Sequence, residues 1–129
     1  MRRLFLTLIM GFSIFNLFGQ SKPTFKSVDV AEFEKAVADS AYIVLDVRTP
    51  EEYAEGHIPG THFNIDVLAD NFTQEVFANL PKEKSVALYC RSGNRSKTAA
   101  RILSEQGYKV IELATGIRGW TTAGRAVER

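Results

Sequence analysis

Cysteine is scarce in this sequence: one, Cys90, in 129 residues. A lone thiol excludes an internal disulfide and any cysteine-based structural zinc site. Surplus charge is missing as well, because 16 Lys and Arg stand against 15 Asp and Glu, a net of +1. No excess of cations is available to spread over phosphates, so nucleic acid is excluded as the expected partner. Internal repeats and low-complexity stretches are absent, and the only long apolar run lies within the first twenty residues. With 24% charged and 45% hydrophobic residues, the composition is that of ordinary globular protein, neither disordered nor multi-span membrane. The length provides for one core and not for two.

The apolar run extends from Leu4 to Phe18, follows Arg2 and Arg3, and gives way to Gly19-Gln20-Ser21. A basic start, an apolar centre and a small residue describe an export signal over residues 1–20. A retained anchor needs roughly 18–20 apolar residues, and this run falls short. Residues 21–129 are then one domain, free of the membrane once the signal is cut. Asn71-Phe72-Thr73 and Asn94-Arg95-Ser96 are both glycosylation sequons. A glycan on Asn94 would obstruct the loop singled out below, so the expected compartment is a bacterial periplasm.

Within residues 21–129 the pattern alternates between strand and helix. Asp29 can cap a helix over Val30 to Ala38, with Glu32 completing a D-x-x-E box. Tyr42 to Leu45 is a continuous apolar run ending at Asp46. Thr49-Pro50-Glu51-Glu52 combines an N-cap, a first-turn proline and a glutamate three residues on, and Gly56 stops the helix it starts. Phe63 to Ile65 suggests a short strand, Phe72 to Asn79 a helix closed by Pro81, and Val86 to Tyr89 a second buried strand. A helix from Ser96 to Gln106 and a strand at Val110-Ile111 follow. Strands apolar along their whole length, separated by helices, predict an α/β fold with a parallel sheet covered on both faces.

Function in such sheets gathers beyond the carboxyl ends of strands. Two ends stand out: Asp46-Val47-Arg48, and Cys90-Arg91-Ser92-Gly93-Asn94-Arg95. The second is short enough that it must curl. Gly93 permits the turn, Asn94 tolerates left-handed geometry, and curling aims backbone N–H groups at the sulfur. Lys84, Arg91, Arg95, Lys97 and Arg101 fall between Glu83 and Glu105 with no acid among them. This is a setting that lowers a thiol pKa. An ordinary thiol near 8.5 is a few per cent ionised at pH 7, and a drop of about two units makes thiolate the majority form. The same field would attract a small dianion.

Asp46-Val47-Arg48, Glu52-Tyr53, Gly56-His57-Ile58-Pro59-Gly60, Cys90 through Ser96, and Gly116-Ile117 with Trp120 occur in an order that resembles rhodanese-like domains, from about Phe25 to Gly124. The resemblance implies a three-layer sandwich with a five-stranded parallel sheet. It also implies that Cys90 is the nucleophile of a thiosulfate-type sulfurtransferase. Its thiolate would take the outer sulfur of a small anionic donor and pass it, as a persulfide, to a thiol or cyanide. No cofactor or metal is called for, and a monomer is expected. Arg91, Ser92, Gly93, Asn94, Arg95 and Ser96 would form the substrate loop. Arg95 would hold a leaving oxyanion or the loop itself, while Arg91 faces solvent and steers substrate. Asp46, Arg48 and His57 read as braces around it. Similar phosphatases carry C-x5-R where this chain has C-x4-R, leaving a pocket sized for sulfur rather than phosphate. The competing reading is a persulfide or sulfide carrier that hands sulfur to a partner protein. The enzyme reading expects a thiol that is ionised and open to solvent.

Other candidates have plainer readings. His57 and His62 are too isolated to suggest a metal pair, Trp120 suggests packing under the sheet, and Glu51, Glu52 and Glu55 suggest a solvated helix face. Thr61, Thr115 and Ala126 depart from the family pattern, and Thr115 bears on acceptor preference.

Overall fold

The computed structural model describes residues 24–129, so the expected export signal lies outside the described residues. The elements are β1 (Lys26–Val28), α1 (Val30–Val37), β2 (Tyr42–Asp46), α2 (Pro50–Glu55) and β3 (Phe63–Asn64). They continue with α3 (Phe72–Asn79), β4 (Ser85–Tyr89), α4 (Asn94–Glu105), β5 (Val110–Leu113) and α5 (Gly116–Thr122). The five strands form one parallel sheet in the order β1-β5-β4-β2-β3.

The apolar strands take the centre because both of their faces are covered. Leu45, Val86 and Leu88 contribute to a core with Val76, Ala99, Ala100 and Leu103 of α3 and α4. Val44, Ala87 and Tyr89 alternate with them and meet Phe33 of α1 and Trp120 of α5. Phe33 stands edge-on to Tyr89 at 6.0 Å and to Trp120 at 6.4 Å. Burial of each such ring contributes about 1.5–3 kcal/mol. Trp120 donates to the Ala126 carbonyl at 2.8 Å, which confirms packing as its role.

Local signals hold where they are self-contained. Thr49 and Glu52 form a reciprocal capping box at α2. At α1 only half of the expected box exists: Asp29 accepts from the Glu32 N–H, but the Glu32 carboxylate turns to Lys26 at 2.9 Å. One strand went unread and two boundaries are corrected. β1 carries no clear strand pattern because two of its three residues are exposed on an edge. β5 runs past Ile111 through Glu112, which is buried rather than ending the strand. α4 starts at Asn94, two residues before the expected Ser96.

Two contacts fix the site end of the sheet. The α5 N–H groups of Ile117 and Arg118 donate to the carbonyls of Cys90 and Arg91 at 2.9 and 3.0 Å. Gly116 makes this approach possible: its φ is +67°, and a Cβ there would lie 2.3 Å from the Arg91 carbonyl oxygen.

Candidate active site

Cys90 is the first residue beyond β4, a central strand. The chain reverses within three residues because Gly93 adopts φ +107°. A Cβ at this position would stand 2.2 Å from the Ala114 carbonyl oxygen, so both conformation and space demand glycine. The reversal carries the Gly93 N–H to 3.1 Å from Cys90 Sγ. Gly93 is also the N-cap of α4, which puts the sulfur at the amino end of that helix. The turn is tighter than expected: Asn94 is helical rather than left-handed, and Arg95 belongs to the helix instead of the loop.

Burial is the largest influence on the Cys90 thiol and opposes ionisation. The Ser96 hydroxyl and the N–H groups of Ser96, Gly93 and Ser92 outweigh it, and the thiol is held below its ordinary value. The cause therefore differs from that expected. Hydrogen-bond donors rather than the cationic run lead the opposing causes, and tertiary contacts engage Arg95, Lys97 and Lys84 of that run. Arg95 forms a two-bond ion pair with Glu52, at 2.7 and 2.9 Å. Lys97 lies 3.3 Å from Glu112 and donates to the Gly93 carbonyl at 3.0 Å. Lys84 binds the Ser40 carbonyl, at the start of its strand and away from Cys90.

The Arg95 guanidinium is engaged by Glu52 and ties α4 to α2 on the rim of the loop. Glu52, expected on a solvated face, is part-buried and held down to about 2 chiefly by the Arg95 hydrogen bonds.

The Asp46 carboxylate secures Arg48. Asp46 accepts from the Arg48 Nε at 3.0 and 3.1 Å, from Nη2 at 2.7 Å and from the backbone N–H at 2.9 Å. Arg48 also donates to the Gly56 carbonyl at 2.7 Å, fastening the end of α2. His57 braces a different region: it stacks on Tyr53 at 3.9 Å and joins Glu128 in an antiparallel bridge. His62 Nδ1 accepts from the Val44 N–H at 2.9 Å, which uses the lone pair a metal would need. Among the described residues no three metal-ligating side chains gather. Thr61 bonds the Ile58 carbonyl and the Tyr89 hydroxyl, at 2.6 and 2.8 Å.

A cleft of about 330 Å³ adjoins the loop, lined by Arg48, Glu52, Arg91, Ile117, Arg118 and Thr121, among others. Arg91 and Arg118 are exposed and form no ion pair among the described residues. Arg91 thus faces solvent, as expected. Arg118 was not anticipated, since only the α5–loop hydrogen bonds bring it beside Arg91. Ser92 and Thr115 line a neighbouring, more apolar depression. Cys90 itself is 1% exposed, so the sulfur lies under the loop and the expected open thiol is not found. Glu112 was missed too, although a charged residue between Ile111 and Leu113 in an apolar strand is a readable signal of a buried polar contact.

Residues 29–123 match the rhodanese-like domain family. A sulfurtransferase of Allochromatium vinosum is 35% identical over 99 residues, covering 75% of this chain and 89% of that protein. The thiosulfate sulfurtransferase PspE of Escherichia coli is 35% identical over 75 residues, covering 57% and 69%. The crystal structure of a rhodanese-related protein from Thermoplasma volcanium superposes with a TM-score of 0.70 at 32% identity, covering 81% of this chain and 98% of that one. The chain belongs to the rhodanese-like domain family.

Proposed function

We propose that this protein is a sulfurtransferase that carries sulfane sulfur from thiosulfate, or a similar small anion, through a persulfide on Cys90 to a thiol or cyanide. The observation that carries the reading is the ring of donors from Ser92, Gly93 and Ser96 holding the Cys90 thiol below its ordinary value. In the first step the thiolate attacks the outer sulfur of thiosulfate. The sulfur–sulfur bond breaks and its electron pair leaves with sulfite. The persulfide then bears its charge on the outer sulfur, where amide donors stabilise it without giving up a proton. In the second step the acceptor attacks that outer sulfur and the electron pair returns to Cys90. Neither step needs a general base once Cys90 is ionised. Arg91 and Arg118 give an anionic donor a cationic approach to the loop, and the sulfurtransferase names of the relatives support the same chemistry.

The test is to incubate the protein with thiosulfate, weigh the Cys90 peptide, and measure thiocyanate formation with cyanide. The expected result is one sulfur gained on Cys90, with turnover that Cys90→Ala abolishes. Turnover that survives in the Ala variant would remove Cys90 as nucleophile. Because Cys90 is buried, an unmodified peptide would show that donors cannot reach it, and both sulfur-transfer readings would fall. Sulfur gained without turnover would favour a carrier that serves a partner protein.

A further inference from the structure

The cleft beside the loop is larger than thiosulfate or cyanide requires. Its volume of about 330 Å³ lies at the lower end of the roughly 300–1,000 Å³ found for small-molecule pockets. A sulfur acceptor with a carbon skeleton would fill it. The lining indicates which kind.

The loop and α5 supply Arg91 and Arg118, whose backbones are joined by the Arg118 N–H donating to the Arg91 carbonyl at 3.0 Å. Both side chains are exposed, and neither forms an ion pair among the described residues. The other charges in the lining oppose them weakly. Arg48 is matched by Asp46 and Glu52 by Arg95. Glu55 is exposed, and Arg129 donates to its main-chain carbonyl at 2.9 Å, which brings a further cation close by. Free charge in the cleft is therefore mainly positive.

Another part of the lining is apolar. Val127 is 41% exposed and shares the cleft with Ile117. Hydrogen bonds on either side hold it there. Trp120 Nε1 donates to the Ala126 carbonyl at 2.8 Å, while His57 and Glu128 exchange N–H···O bonds at 2.8 and 2.9 Å. An exposed valine so firmly placed gives a carbon chain a surface to cover.

We propose that the sulfur acceptor is a small thiol bearing carboxylates, with Arg118 and Arg91 binding the carboxylates and Val127 and Ile117 the carbon chain. This names the acceptor class of the transfer proposed above and rests on it. The acceptor thiolate attacks the outer sulfur of the Cys90 persulfide. A new sulfur–sulfur bond forms, the bond to the Cys90 sulfur breaks, and its electron pair stays on Cys90 while the acceptor departs as a persulfide. Both reactants are anions, and a carboxylate adds to their repulsion unless cations meet it. Arg91 and Arg118 supply that charge and so favour the acid-bearing thiol over a neutral one of similar size.

The test begins from the persulfide, formed with thiosulfate and desalted. Mercaptosuccinate, a dicarboxylate, or neutral 2-mercaptoethanol is then added, and the loss of sulfur is followed by the mass of the Cys90 peptide. The ratio of the two rates in a variant, divided by that in the wild type, cancels the intrinsic reactivity of each thiol. Arg118→Gln should lower this ratio by about fivefold, the upper end for an exposed ion pair, and Arg118→Glu should lower it further. Added salt should shrink the wild-type preference. Val127→Trp, which narrows the cleft, should slow both thiols more than it slows cyanide.

An unchanged ratio in the Arg118 variants would overturn the proposal. Equal slowing of cyanide and thiols by Val127→Trp would do so as well. Sulfur removed by cyanide but by neither thiol would also overturn it and point to a protein acceptor. If no persulfide forms, the sulfurtransferase reading fails and takes the acceptor with it. A persulfide surrendered to both thiols without regard to charge overturns the acceptor assignment alone.

Discussion

Asp46 at the end of β2 pairs across the sheet with Tyr89, the residue before Cys90, so the two strand ends are neighbours. They use polar groups in opposite ways. At the β2 end, Asp46 and Arg48 spend their hydrogen bonds on one another and on the Gly56 carbonyl. At the β4 end, the Gly93 N–H donates to the Cys90 sulfur and the Ser96 hydroxyl donates to Glu112. The first arrangement is complete and holds the loop after β2 in place. The second has donors to offer an incoming anion or a newly charged sulfur. Adjacent strand ends can thus divide the work, one rigid and the other responsive.

Asp46→Ala should have the largest effect on stability. It leaves Arg48, 5% exposed, without its counter-charge, and should lower the unfolding free energy by about 3–5 kcal/mol in urea denaturation. A loss as small as that of a surface substitution would mean that the β2 end is not the rigid partner. Gly93→Ala comes next. The φ of +107° and the 2.2 Å approach to Ala114 should cost about 1–3 kcal/mol. More diagnostically, the displaced loop should return the Cys90 absorbance midpoint towards that of a free thiol and stop sulfur uptake. An unchanged midpoint would detach the amide ring from thiol acidity.

Glu52→Gln should have the smallest effect, and it is visible in the acid limb. Pairing with Arg95 depresses the folded pKa of Glu52 to about 2, below the unfolded value near 4.3. The pair therefore adds stability above the unfolded value and loses it as pH falls towards 2. Partial exposure screens the pair, so the wild type should exceed Glu52→Gln by about 1 kcal/mol near neutrality. Unfolding curves collected down through that window should show the gap closing, and a pH-independent gap would contradict the assignment.

Much of this was legible in the chain. The runs Tyr42–Leu45 and Val86–Tyr89 read as buried strands because every residue in them is apolar or aromatic, and the α2 capping box is complete within four residues. Gly93 could be picked out because a tight strand-to-helix turn needs a residue free to take positive φ. β1 went unread because Lys26 and Ser27 face solvent, and an edge strand needs only Val28 inside. The beginning of α4 was misjudged because one glycine completes a turn for which several residues had been allowed.

What the sequence determined by itself was the set of elements, the placing of Cys90 at the end of a buried strand, and the glycine that bends the backbone around it. Each follows from periodicity or from the conformational freedom of single residues, and neither needs distant partners. The charge environment belonged to the tertiary structure. The acid-free stretch around Cys90 acquires Glu52 from 43 residues away and Glu112 from across the sheet. An ion pair or a buried hydrogen bond depends on distance in space, and folding makes neighbours of groups that the order of residues keeps apart.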